Sequence, residues 1–153
     1  MKRIKEIIFV QEIITDFHKA ENRIKKIPKE TRILQKKLLT EVNVRNKKLI
    51  HRELSSLDRE FRGASLFCRQ VNEILENIEQ DTAVDKITYG IFRYYFFKKS
   101  HQELAANEFN LTRTPGRERI MLCTEIFIYY WTVISGIQPL EKSSTSDPMT
   151  VTK

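Results

Sequence analysis

The chain has little of what breaks or staples a fold. Only four glycines and four prolines punctuate 153 residues, and the long stretches between them argue for long helices rather than strands joined by tight turns. Two cysteines, Cys68 and Cys123, stand far apart among apolar neighbours with no C-x-x-C. They read as small buried hydrophobes in a reducing compartment, not as a disulfide or metal framework. His51-x-Glu53 and His101-x-Glu103 match half of a zinc deaminase signature, but the P-C-x-x-C half that supplies the other ligands is absent. There is no H-E-x-x-H and no G-x-S-x-G, and glycines at 63, 90, 116 and 136 are too scattered to cradle a phosphate. No catalytic residue, metal or cofactor is therefore expected, and the chain is not read as an enzyme. A long uninterrupted apolar run is also missing: Glu6, Gln11 and Glu12 interrupt the N-terminal one, so no export signal is read there. Residues 120–134 are nearly all apolar, yet too short for a comfortable span. The expectation is a cytoplasmic protein with no membrane partner.

What is present is helical periodicity and positive charge. With 41% hydrophobic and 31% charged residues, the chain can bury one sizeable core, and an all-α helical bundle is expected. Ile4, Ile7, Ile8, Ile14 and Phe17 fall mostly at helical spacing, which predicts a first amphipathic helix over residues 3 to about 26, with Pro28 ending it or starting the next. A second helical pattern runs from Thr31 through Leu34, Leu38 and Val42 and breaks at "NVRNKK". Ile50, Leu54, Leu57, Phe61, Ala64, Cys68, Val71, Leu75 and Ile78 then alternate spacings of four and three, a heptad seam predicting a long helix from about 46 to 80. Leu66, Phe67 and Ile74 widen its apolar face, as a bundle would require. "DTAVDKITYGIFRYYFFKK" begins with Thr82-x-x-Asp85, similar to a capping box, and predicts a helix over about 83–98 with Val84, Ile87, Ile91 and Tyr94 or Tyr95 inward. Residues 89–131 hold 11 of the 15 aromatics, so the core should centre there. Gly136 and Pro139 end the last helix, and "EKSSTSDPMTVTK" is expected to be a disordered tail. The division that follows is a helical region 1–82, a helix-turn-helix region 83–138 and a tail 139–153.

The formal net charge of +7 favours an acidic partner such as nucleic acid. Residues 1–50 carry 14 Lys or Arg against 6 Asp or Glu. The C-terminal cations are fewer but better placed, in "SHQELAANEFNLTRTPGRERI". Ser100-x-x-Glu103 reads as a capping box that starts a short helix over 101–107. Arg113, Thr114, Arg117 and Arg119 then precede the apolar run from Ile120, as a recognition helix needs when its first side chains reach DNA and its later ones are buried. Arginine pairs bidentately with guanine or clamps phosphate. Pro is tolerated in a first helical turn, and the least strained reading takes Thr114 as N-cap and Pro115 as the first helical residue, after a linker of about 108–114. A Thr112 cap would put Pro115 third.

The stretch "IFRYYFFKKSHQELAANEFNLTRTPGRERIMLC" resembles the C-terminal region of phage late-gene transcriptional regulators of the ArpU and RinA kind, whose helix-turn-helix is similar to region 4 of sigma factors. The resemblance covers residues 87–131 and implies a supporting helix from Ser100 to Asn107, with Arg113, Thr114, Arg117 and Arg119 facing the groove. Lys98, Lys99, Ser100 and His101 complete the expected DNA-binding set. Pro115, Gly116 and the aromatic "IFIYYW" depart from that pattern, and the last suggests a dimer or partner surface. The leading expectation is a transcriptional regulator that binds double-stranded DNA, with RNA polymerase or further copies of the chain as other partners. The alternatives are a small DNA-packaging subunit and a helical adaptor gripping an acidic or polymerase partner.

Overall fold

Heptad spacing with so few breakers gives helix nearly throughout. The computed structural model describes residues 2–98 and 101–136, with side chains from residue 5 onward. Lys99, Ser100 and the tail 139–153 lie outside the described residues. Five helices and no strand occur among the described residues: α1 (Lys2–Thr40), α2 (Val44–Gln80), α3 (Lys86–Phe97), α4 (Gln102–Glu108) and α5 (Arg113–Ser135). The fold is all-α.

Pro28 does not end the first helix but sits inside α1. A proline there withholds one N–H from the carbonyl four residues back, and the flanking turns hold regardless because Ile27 and Phe17 bury their side chains. The break falls at residues 41–43. Asn43 accepts the Asn46 N–H (3.1 Å) and so caps α2, while the Glu41 carboxylate accepts from the Asn43 N–H (3.2 Å) and the Asn46 Nδ2 (3.3 Å).

The chain divides into two compact units, residues 1–14 with 71–153, and residues 15–70, with boundaries inside α1 and α2 rather than near residue 82. Residues 15–70 form an antiparallel helical hairpin. Cys68 Sγ lies 4.0 Å from the Phe17 carbonyl, and the Arg23 guanidinium grips Glu60 with two bonds (Nε to Oε2 2.6 Å, a second nitrogen to Oε1 2.8 Å) while also bonding Glu30 at 2.9 Å. These bonds hold both carboxyls below the usual range. The heptad seam lines the inner face, with Ile50 and Cys68 buried and Leu54, Leu57, Phe61 and Ala64 half-buried. Leu66 departs from the expectation and is exposed, because it lies off the seam.

The other unit holds the aromatic core. Its buried side chains come from the first turns of α1 (Ile7, Val10, Ile13, Ile14), the end of α2 (Val71, Ile74, Leu75, Ile78) and the three C-terminal helices, where Phe92 and Phe127 are fully enclosed. Phe9 meets Trp131 edge-on at 6.3 Å, and the Tyr130 hydroxyl donates to Asp81 Oδ2 at 3.1 Å. Ile8 and Ile87 are exposed rather than inward. Val10 and, in α3, Thr88 and Phe92 take the inner positions.

Candidate functional site

The site is built on three short-range packing decisions. Asp85, not Thr82, is the N-cap of α3, accepting the Thr88 N–H at 2.8 Å. That bond, then the Thr88 hydroxyl and the Arg119 guanidinium, holds the Asp85 carboxyl below its ordinary range. Two glycines then let the helices close up. A Cβ on Gly90 would fall 2.7 Å from the Phe109 ring, and one on Gly116 would collide with the Cβ of Ala106. Ala105 and Ala106 are fully buried, so α4 lies against α5 with almost no side chain between them.

The turn from α4 to α5 spans residues 109–112. Asn110 adopts a left-handed backbone with φ 59°. Its N–H bonds the Asn107 carbonyl at 3.0 Å, and the Leu111 N–H reaches back to the Ala106 carbonyl at 2.8 Å. This pair of bonds is the Schellman motif, with asparagine in the position glycine usually fills. The chain is thereby redirected in four residues rather than over the longer linker expected.

The cap of α5 is Thr112 and not Thr114. Its carbonyl accepts the first helical bond, from the Gly116 N–H at 3.1 Å. Pro115 is thus the third helical residue, one whose N–H would have had no intrahelical acceptor. Proline and glycine therefore fit inside a continuous helix: one occupies a position that needs no donor, the other a position that tolerates no side chain.

Arg113, Thr114 and Arg117 are exposed on the first turns of α5, with Glu118 beside them. Arg119 is not with them. At about 100° per residue it lies roughly 200° round from Arg117, and its guanidinium bonds the Thr88 hydroxyl at 2.8 Å and both Asp85 oxygens at 3.2 and 3.3 Å. It ties α5 to the start of α3. His101 is the exposed N-cap of α4 and makes no side-chain capping bond. Helix α4 therefore starts one residue later than a Ser100 cap implies. Lys98 caps the end of α3 and sits 5.5 Å above the Tyr94 ring, which meets Phe109 of the turn edge-on at 6.3 Å. Of the expected set, the structure thus groups Arg113, Thr114 and Arg117 and diverts Arg119 inward. The aromatic continuation of α5 leaves Leu122, Tyr129 and Val133 exposed along one side.

No protein-family model, curated protein or solved structure matches the chain.

A second basic surface carries no motif. Residues 31–52 hold seven Lys or Arg against one acid, a surplus of 6 out of the net +7, and all seven cations are exposed on the closed end of the hairpin. The uneven charge of the N-terminal third is the signal in the sequence that points to it. No described helix is long and apolar enough to cross a membrane.

Proposed function

We propose that the chain binds double-stranded DNA through α4, the 109–112 turn and α5, as a transcriptional regulator of the kind found among phage late-gene activators. The observation that carries this reading is the start of α5. Arg113, Thr114 and Arg117 stand exposed on its first turns, while α4 braces them from behind through the Ala106–Gly116 contact. A helix start concentrates unpaired backbone N–H groups and a positive dipole end. Arginines at that pole suit phosphate, and from within a major groove they suit guanine. A brace packed this tightly favours a fixed presentation, which base reading requires more than phosphate contact does.

Fluorescence anisotropy on labelled duplex tests the assignment. The double substitution Arg113→Ala and Arg117→Ala should weaken binding by ~30-fold or more, at roughly 1–3 kcal/mol for each good bidentate contact, with the helical circular dichroism intact. Unchanged affinity in that variant would remove the assignment. A salt series on the parent chain separates the remaining outcomes, since several phosphate contacts give a steep fall of affinity with salt and a helical adaptor gives none.

A further inference from the structure

The closed end of the α1–α2 hairpin is layered. Leu39, Val42 and Val44, at its apex, are 86%, 87% and 67% exposed, unusual for aliphatic side chains at a helix–helix turn, where polar residues are the norm. Cations flank and follow them within the adjoining helical turns. At 1.5 Å per residue, Lys36 and Lys37 sit about 5–6 Å back from the end of α1, and Arg45, Lys47 and Lys48 fall within about 6 Å of the start of α2. No ion pair or hydrogen bond among the described residues engages the charged groups of these five. The one acid of the apex, Glu41, is turned back on the loop by its bonds to the Asn43 N–H and the Asn46 Nδ2, which leaves it one negative charge against the five cations.

We propose that this apex docks on an anionic lipid bilayer, with the aliphatic residues entering the acyl boundary and the lysines and arginine at headgroup level. Clusters of four to eight basic residues on a helical element are the electrostatic footprint of anionic lipid, and apolar residues ahead of them supply the second, non-electrostatic signal that stable surface binding needs. A nucleic-acid backbone would use the cations but leave three aliphatic side chains facing phosphate and water. The bilayer is the anionic surface that accommodates both layers. A spanning segment is not needed for such a contact, so its absence among the described helices does not bear on it, and the proposal departs from the sequence expectation of no membrane partner. The surface shares no residue with the α5 site, and the proposal stands or falls independently of DNA binding.

The test is co-sedimentation of the full chain with phosphatidylcholine vesicles, with and without about one-third phosphatidylserine. Binding is expected only with the anionic lipid. Leu39→Ser, Val42→Ser and Val44→Ser combined should lower it by ~10-fold or more, and Lys36→Gln, Lys37→Gln, Lys47→Gln and Lys48→Gln combined by ~100-fold or more. All seven side chains are exposed or at the loop, and circular dichroism checks that both variants fold. No binding to anionic vesicles overturns the proposal, as does anionic binding that the serine variant retains. A glutamine variant that flattens the salt dependence of duplex binding, in a chain that ignores vesicles, would make the surface a nucleic-acid contact instead.

Discussion

Gly116 of α5 lies directly over Ala106 of α4, so close that the smallest side chain at 116 would overlap the alanine methyl and stand 3.2 Å from its Cα. The backbone of α4 is one wall of this contact, and backbone does not swing aside as a flexible side chain does. Gly116→Ala gains roughly 1 kcal/mol in helix propensity but must push α4 and α5 apart, at ~1–3 kcal/mol for overpacking. Gly116→Val should cost more. Urea unfolding midpoints should fall for both. In an Ala106→Gly background the cost of Gly116→Ala should shrink by ~0.5 kcal/mol or more, the signature of a direct pair.

Asn110 predicts a contrast at the neighbouring turn. Its positive φ suits glycine or asparagine and penalises a β-branched residue. Asn110→Gly should leave the thermal midpoint unchanged or raised, whereas Asn110→Val should lower stability by ~1–2 kcal/mol and, by loosening the α4–α5 angle, weaken duplex binding. A valine variant as stable as the parent would show that the left-handed turn does not direct the chain.

Pro28 should be a net cost to α1. It stands in the helix interior, exposed, with no donor for the Ile24 carbonyl. Pro28→Ala restores that bond and should stabilise the protein by about 1–3 kcal/mol, read as a raised midpoint in thermal or urea unfolding. An unchanged or lowered midpoint would mean that α1 requires the bend a proline imposes.

The long helices and their seams are legible in the sequence because burial follows period: the heptad from Ile50 to Ile78 faces inward along its whole length. Pro28 reads locally as a stop, yet tertiary packing of Ile27 and Phe17 outweighs the local penalty. The cap of α5 differs from expectation for a related reason. Locally Thr114 is the less strained cap, yet the helix starts two residues earlier at Thr112, and in that helix Gly116 packs on Ala106, a contact between helices that no local pattern encodes. The inward turn of Arg119 is half legible, since helical geometry alone puts it on the far side from Arg117. Its partner is not, because Asp85 is 34 residues away in the chain. The basic apex of the hairpin is visible as a charge surplus, but only the position of the 41–43 turn brings Lys36 and Lys48 to the same end.

Cys123 is fully buried and its thiol pushed up to about 12, by burial first and then by Asp85 and Asp81. Cys68 is shifted in the same direction by burial. Thiolate, not thiol, is the nucleophile, so a disulfide reagent near neutral pH should label neither residue in the native chain within the time that labels both in denaturant. Fast native labelling of Cys123 would show that the α3–α5 contact opens readily.

The Asp85–Arg119 pair should make stability depend on acid in a defined direction. The folded carboxyl titrates below its ordinary value of 3.8, so the unfolded chain binds the proton more readily than the folded one. The stabilisation is fully present above 3.8 and is lost as pH falls through the lowered folded value. Asparagine caps a helix about as well as aspartate, so Asp85→Asn keeps the bond to the Thr88 N–H and deletes the charge opposite Arg119. At neutral pH the variant should be less stable than the parent, and the difference should close as both are titrated below 3.8. Arg119→Ala should show the same closing gap while leaving Arg113 and Arg117 free to bind duplex. A difference between parent and Asp85→Asn that stays constant from neutral to acid would mean that neither the Thr88 bonds nor Arg119 favours the charged carboxylate, against the lowered titration of Asp85.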